Sequence, residues 1–115
     1  MGGSAQFPSK GATMIEILNE GNFPEKVLQA PHKVLVEFFA AWCPHCQRMM
    51  PIIDDVADAA AGRVAVYQVD IDQSPNLAGT YAPDGSPTFA LFEGGSEVES
   101  LVGEQSEQRL LELVA

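Results

Sequence analysis

The sequence predicts an α/β domain in which a central mixed β-sheet of about five strands has helices on both faces. Two apolar runs, "VLVEFF" and "VAVY", are typical of buried strands. In the first part of the chain strands alternate with helical segments, and near the end two strands are separated only by a glycine pair. Such an order, βαβαβαββα, predicts parallel strands first and a hairpin last.

The first elements follow from the local pattern up to the central apolar run. From Met14, "MIEIL" alternates apolar and polar residues, which predicts a short strand. Pro24, preceded by Asn22 and Phe23, predicts a short helix that begins with proline. The run "HKVLVEFFAA" is typical of a strand covered on both faces.

A longer helix is predicted from Pro44 to Ala61. Its apolar residues recur at helical spacing, and Pro44 fits the first turn. Pro51 should kink this helix, because proline cannot donate to the carbonyl four residues earlier. Gly62 is the expected C-terminal stop.

The remaining elements are two short helices and three strands. "RVAVYQVDID" predicts a strand, and "SPNLAGTY" predicts a helix capped by Ser74 with Pro75 in its first turn. "PTFALFE" and "SEVESLV" form the predicted hairpin. A last helix follows Ser106, with one apolar stripe made of Leu110, Leu111 and Val114.

Length and charge restrict the classes of function. With 115 residues the chain fits one domain, which we place at residues 14–115. The 16 acidic and 6 basic residues give a net charge of −10, which disfavours nucleic acid and anionic membranes as partners. No apolar stretch reaches the roughly 20 residues of a membrane helix. We expect a monomer.

Residues 1–13 differ from the rest in composition. They lack the positive segment and apolar core of a signal peptide, so we expect a flexible leader or a remnant of cloning. The default expectation is therefore a cytoplasmic protein. A signal peptide removed and replaced by cloning residues is the alternative.

The two cysteines, Cys43 and Cys46, suggest redox chemistry. A disulfide that closes so small a loop stabilises a fold little, so scaffolding explains the pair poorly. Cys43 lies at a predicted strand-to-helix junction, where free backbone N–H groups favour a thiolate. Cys46, one turn further and expected to be more buried, would resolve a mixed disulfide formed by Cys43.

A metal site is the weaker interpretation of the same pair. Structural zinc takes four nitrogen or sulfur ligands, and the sequence has no second C-x-x-C and no H-x-x-x-H. We therefore expect no metal and no bound cofactor, only a redox-active disulfide. A metal shared between two chains stays open as an interpretation, because the second chain would supply the missing ligands.

The motifs around the cysteines resemble the active site of the thioredoxin family. "WCPHC" lies at the strand-to-helix junction, Pro51 follows the second cysteine by five residues, and "SPT" ends the loop before the hairpin. The resemblance covers residues 14–115 and implies the thioredoxin fold. It also implies a thiol-disulfide oxidoreductase that acts on disulfide-containing client proteins and is recharged by a flavin-dependent thioredoxin reductase.

The resemblance implies a role for each residue at this site. Cys43 would be the nucleophile and Cys46 the resolving thiol. Pro87 would be a cis-proline that faces the cysteines, although X-Pro bonds are usually trans, and the Ser86 backbone would pair with an extended substrate segment. The positions that would contact substrate are Trp42, Pro44, Ser86 and Pro87. For Trp42 a core anchor is an equal alternative, and serine before the proline leaves substrate preference open.

Glu37 lies inside the apolar run "VLVEFF". A charge buried in a central strand is costly unless it is paired or neutral, which predicts a raised pKa. The family has a buried aspartate here, which implies that Glu37 transfers protons for Cys46. Gln68 stands where many members carry lysine, so Glu37 would lose a cation. A solvated glutamate at a sheet edge is the alternative.

His45 is the main departure from ordinary thioredoxins, which carry Gly-Pro between the cysteines. Pro-His resembles the oxidising periplasmic thiol oxidases, whose potential lies near about −120 mV against about −270 mV for thioredoxin. A protonated His45 would stabilise the Cys43 thiolate and make the disulfide more oxidising. Alternatively His45 has no electronic role; for His32 we expect none.

Three functional interpretations remain open. The first is a reductase-like thioredoxin that is more oxidising than usual. The second is an extracytoplasmic disulfide oxidase or isomerase, although residues 52–63 leave no room for the helical insert of the periplasmic oxidases. The third is a non-catalytic binding module with a thioredoxin-like fold.

Overall fold

The computed structural model describes residues 14–115, so the expectations for residues 1–13 lie outside the described residues. The predicted order of elements is confirmed. The strands are β1 (Glu16–Leu18), β2 (Lys33–Phe39), β3 (Val64–Asp70), β4 (Thr88–Glu93) and β5 (Ser96–Val102). The helices are α1 (Pro24–Leu28, a single π-helical turn), α2 (Pro44–Ala60), α3 (Pro75–Tyr81) and α4 (Glu107–Leu113).

The five strands form one mixed sheet in the order β1-β3-β2-β4-β5. β1, β3 and β2 are parallel, whereas β4 runs antiparallel to β2 and to β5. β2 is therefore hydrogen-bonded on both sides, as its nearly continuous apolar sequence predicts. Within the part of the chain that the structure describes, no helix is both long and apolar enough to cross a membrane.

Alternate residues of β2 contribute to two separate cores. Val34, Val36 and Phe38 pack on the face that carries α1 and α3. Leu35 belongs to the core formed with α2 and α4. Because side chains alternate along a strand, Glu37 shares the face of Leu35 and lies beneath α2.

Aromatic rings hold α1 and α3 against the sheet. Phe23, Tyr81 and Phe92 form mutual contacts with ring centroids 5.2–5.8 Å apart. Tyr81 ends α3 and also stacks on Phe38 at 6.0 Å. These contacts anchor the end of α3 to the sheet. The loop from α3 to β4, which contains Ser86 and Pro87, begins at this anchored residue.

The start of α2 follows from the residues that surround Cys43. Cys43 has an extended conformation (φ −86°, ψ 119°) and precedes Pro44, which needs no N–H partner in the first turn. The helix continues through Pro51 and ends at Ala60, one residue before the predicted end. Gly62 then adopts φ +88°, a conformation that glycine accepts without steric cost.

The two predicted serine caps behave differently. The Ser106 hydroxyl accepts a hydrogen bond of 3.1 Å from the Arg109 N–H, as expected. Ser74 occupies the cap position of α3, but its hydroxyl is buried and has no hydrogen-bond partner, so the predicted capping bond is wrong. At φ −130° and ψ 67° Ser74 lacks the usual extended cap geometry, and its side chain is buried in the protein instead.

The hairpin between β4 and β5 turns through Gly94 and Gly95, both with positive φ (62° and 82°). Such a pair matches the twist of the two strands. A Cβ on Gly95 would lie 2.5 Å from the Leu28 carbonyl oxygen, whereas a Cβ on Gly94 would meet nothing within 4 Å. Gly95 thus permits α1 to pack against the hairpin.

Gly95→Ala should destabilise the protein more than Gly94→Ala does. Both variants place alanine in a left-handed conformation, which costs about 1–2 kcal/mol. Only the Gly95 variant adds a clash with backbone, worth about 1–3 kcal/mol more. Urea unfolding of the two variants measures the difference, and equal losses would contradict the proposed close contact.

Candidate active site

Cys43 and Cys46 lie at the first turn of α2, directly after β2. Both are free thiols and both are buried, with exposed fractions of 4% and 3%. We expected Cys46 to be clearly more buried than Cys43, but their exposed fractions are nearly equal and do not distinguish the two thiols. Their hydrogen bonds and electrostatic surroundings do distinguish them.

The environment of Cys43 favours its thiolate. Burial opposes ionisation, but the sulfur is hydrogen-bonded by the Cys46 N–H and thiol, by the Ser86 side chain and by the His45 N–H. Together these donors hold the pKa of Cys43 below its ordinary value. They include free N–H groups of the first helical turn, as predicted from the strand-to-helix junction.

The environment of Cys46 favours its protonated form. Burial raises the pKa of Cys46, and the adjacent Cys43 sulfur raises it further. The Ala40 N–H, 3.5 Å from the Cys46 sulfur, opposes this rise without cancelling it. The Cys43 thiol is therefore the more readily ionised of the two, and thiolate character is what makes a thiol nucleophilic.

Glu37 is buried in the sheet, and the alternative of a solvated edge residue is wrong. It is 1% exposed, because β2 is an inner strand of the sheet and α2 lies over the face that carries Glu37. Burial raises the pKa of Glu37 to about 7, although a hydrogen bond of 2.9 Å from the Gln68 amide to Oε1 opposes the rise. Oε2 has no hydrogen-bond partner.

Glu37, Gln68 and Cys46 border the same pocket, which has a volume of about 220 Å³. The cross-strand register explains this grouping, since Gln68 lies directly opposite Glu37 on β3. The expectation that Gln68 is beside Glu37 is therefore confirmed. A carboxyl with a pKa near neutrality and a free oxygen has access to the same space as the Cys46 thiol.

Trp42 lies at the surface, so the core-anchor alternative is wrong. Its side chain is 66% exposed, and its indole N–H donates to the Asp72 carboxylate at 2.8 Å. Pro44, next to Cys43, is also exposed. Asp72 follows β3 in a turn and was not identified from the sequence, because no local pattern relates it to Trp42.

The Ser86–Pro87 peptide bond is cis, as the resemblance implies. Pro87 is buried, and Ser86 is partly exposed with its carbonyl oxygen 3.8 Å from the Cys43 sulfur. The Gly103 N–H donates to the Pro87 carbonyl at 2.7 Å, which ties this segment to the end of β5. The Ser86 side chain also reaches both sulfurs, an interaction that sequence reasoning missed.

His45 is exposed and belongs to a charged cluster that the sequence did not reveal. Its Nδ1 lies 2.6 Å from a carboxylate oxygen of Glu104, which also binds Arg48. Arg48 is one helical turn from His45, a spacing that could have suggested contact. Glu104 is far away in sequence and gives no such signal. His32 is remote from this cluster in sequence, and its ring contacts the Lys33 carbonyl.

No group of three or more metal-ligating side chains occurs among residues 14–115. The side chains near the two sulfurs are instead donors and one carboxyl, suited to proton transfer and thiolate stabilisation.

The raised pKa of Glu37 predicts a pH dependence of stability that Glu37→Gln should lose. The folded pKa of about 7 exceeds the ordinary value of 4.5, so the contribution is complete below pH 4.5 and is lost as the pH rises through 7. Between about pH 5 and pH 8 the wild type should lose about 2–3 kcal/mol relative to Glu37→Gln. Urea unfolding of both reduced proteins tests this, and parallel pH profiles would show that Glu37 titrates normally.

Comparison with known proteins agrees with the geometry of the site. The family model described as thioredoxin matches residues 14–115. Thioredoxin M4, a chloroplastic protein of Arabidopsis thaliana, is 36% identical over 99 residues, which are 86% of this chain and 51% of that protein. The chain thus spans about half the length of that relative.

A bacterial relative and a solved structure cover more of their own length. Thioredoxin of Rickettsia felis is 33% identical over 101 residues, or 88% of this chain and 96% of that protein. The solved structure of a mutant thioredoxin from Halobacterium salinarum superimposes with a TM-score of 0.76 and 31% identity, covering 87% of this chain and 86% of that one. Fold, active-site motifs and sequence similarity therefore agree: the chain belongs to the thioredoxin family.

Proposed function

We propose that the protein is a thiol-disulfide oxidoreductase that exchanges electrons with protein disulfides through Cys43 and Cys46. The observation that carries this proposal is the opposite shift of two adjacent thiols: the pKa of Cys43 is lowered, whereas that of Cys46 is raised. Two cysteines that only formed a structural disulfide would not require different pKa values. A two-step exchange does, because one thiol must attack first and the other must wait.

In the first step the Cys43 thiolate attacks one sulfur of a client disulfide. The Cys43–client bond forms, the client disulfide breaks, and the other client sulfur leaves as a thiolate. In the second step Cys46 loses its proton and attacks the Cys43 sulfur. The second client thiolate is released, the client is reduced by two electrons, and a Cys43–Cys46 disulfide remains.

Glu37 accepts the Cys46 proton in this scheme. Its pKa of about 7 is near the operating pH, which suits a residue that must both take and return a proton. It borders the same pocket as Cys46. Glutamate thus performs here the task that the family resemblance assigns to a buried aspartate, and the Gln68 hydrogen bond holds one carboxyl oxygen in place.

Client proteins would bind around Cys43. Trp42 and Pro44 offer exposed surface beside the start of α2, and the Ser86–Pro87 segment approaches the same sulfur from the loop before β4. An extended client segment pairs with the Ser86 backbone in this proposal, a form of strand addition.

The reduction potential lies above that of an ordinary thioredoxin in this proposal, because a protonated His45 adds positive charge at the first turn of α2. A monomer that is recycled by a flavin-dependent thioredoxin reductase in the cytoplasm fits this role. The relatives include bacterial and chloroplastic thioredoxins. An extracytoplasmic oxidase or isomerase is the second candidate, favoured by the Pro-His dipeptide between the cysteines.

Substitution of each cysteine should separate catalysis from binding alone. Cys43→Ser should reduce insulin reduction to the rate without protein, since no thiolate remains to attack. Cys46→Ser should instead accumulate a covalent mixed disulfide with the client, visible by mass spectrometry. If Cys43→Ser retained full function, the binding-module interpretation would replace this one.

Equilibration with glutathione should place the potential between about −270 and about −120 mV. Replacing the dipeptide by the usual one, with Pro44→Gly and His45→Pro together, should lower the potential because the cation is removed. A wild-type potential equal to that of ordinary thioredoxins would refute the role assigned to His45.

A further inference from the structure

Three charged side chains meet beside the first turn of α2. Arg48 donates to one carboxylate oxygen of Glu104 through Nε at 2.9 Å and Nη2 at 2.7 Å. His45 Nδ1 lies 2.6 Å from the same oxygen and 2.9 Å from Arg48 Nη2. Glu104 comes from the loop between β5 and α4, so the fold alone brings it to the active site.

His45 Nδ1 cannot satisfy both neighbours at once. A ring nitrogen that carries a proton can donate to Glu104, whereas one that has a free lone pair can accept from Arg48. Arg48, in contrast, bonds to Glu104 through two nitrogen atoms in either case. The ion pair of Arg48 and Glu104 is therefore the constant part of the cluster, and His45 is its variable part.

The charge of Arg48 acts on Cys43. The hydrogen bond and charge of Glu104 raise the pKa of Arg48, and negative charge on Cys43 raises it further. This interaction is mutual, so an uncompensated Arg48 would stabilise the Cys43 thiolate. Arg48 and His45 lower the pKa of Glu104, so Glu104 is ionised at neutral pH and opposes the effect of Arg48.

We propose that Glu104 is a positioning residue that neutralises Arg48, binds His45, and so limits the oxidising power of the Cys43–Cys46 pair. This inference rests on the proposed redox function and deepens it. Pro-His between the cysteines would by itself make the pair more oxidising. Glu104 restrains that tendency by neutralising Arg48, whose charge acts on Cys43, and by binding His45.

The direction of the effect follows from the charges. In the wild type the negative charge of Glu104 compensates the positive charge of Arg48, to which it is hydrogen-bonded. Glu104→Gln keeps the shape of the side chain but leaves Arg48 uncompensated. The Cys43 thiolate becomes more stable, the reduced protein gains relative to the disulfide, and the disulfide becomes the stronger oxidant. This stabilisation of the reduced protein exists only at pH values at which Cys43 is ionised.

The test compares Glu104→Gln with Glu99→Gln. Glu99 is a suitable control because it lies on β5, pairs with Arg109 at 3.5 Å and has a similar exposure. The pH profile of iodoacetamide alkylation should shift to lower pH for Glu104→Gln only. Equilibrium with glutathione above the Cys43 pKa should shift about threefold toward the reduced form, or about 14 mV.

Two further variants attribute the effect to Arg48. Arg48→Met leaves Glu104 uncompensated and should shift the alkylation profile to higher pH. The double variant, Arg48→Met with Glu104→Gln, should return close to the wild-type profile. Because the side chains are exposed, added salt should reduce each shift. Thermal unfolding of each variant reports any loss of structure separately.

The inference is overturned if Glu104→Gln and Glu99→Gln have the same alkylation pH profile. It is equally overturned if Glu104→Gln shifts the profile to higher pH. It is also overturned if the shift is insensitive to salt, since the loop would then act through structure. Alkylation does not require a client disulfide. A shifted profile in a protein that fails to reduce insulin would therefore refute the proposed function and leave the role of Glu104 intact.

Discussion

The position of β2 between β3 and β4 is the constraint on which the rest of the molecule depends. A strand with neighbours on both sides and helices on both faces has no solvated side, so all of its residues except the two at its ends are buried. The chain leaves this strand and enters α2 within a few residues. Cys43 is consequently held where a buried strand meets the free N–H groups of a helix, and its reactivity follows from that junction.

The same constraint makes Glu37 unusual. A carboxylate that is buried with only one hydrogen bond is costly, and the protein tolerates it by letting the group remain protonated near neutral pH. Because the pKa of Glu37 is about 7, burying this carboxyl makes the stability of the protein depend on pH near neutrality. The same pKa means that Glu37 can gain or lose its proton in that pH range. In the proposed function the pH-dependent stability of the protein and the transfer of the Cys46 proton both depend on the Glu37 side chain, so a substitution there should alter both.

Two sets of groups influence the ionisation of the thiols, one buried and one exposed to solvent. Inside, burial and hydrogen bonds set the difference between Cys43 and Cys46. At the surface, His45, Arg48 and Glu104 are exposed to solvent, where salt screens their influence and each contributes less. In our proposal the surface cluster adjusts the reduction potential, whereas the buried contacts of the two thiols stay the same.

The order of the elements, the mixed sheet and the candidate site residues could be predicted from the amino acids alone. Apolar periodicity, prolines at helix starts and glycines at turns act over a few residues, so they can be read along the chain. The cysteine pair and the buried Glu37 stand out in the sequence itself, whereas the Ser86–Pro87 segment and the roles of all these residues were implied by the family resemblance. The unsatisfied hydroxyl of Ser74 was not predicted, because its conformation depends on the loop that precedes α3. The contacts of Trp42 with Asp72 and of His45 with Glu104 could not be predicted and became apparent only in the folded protein. They join segments far apart in sequence, and long-range contacts between exposed polar side chains leave no periodic trace in the chain.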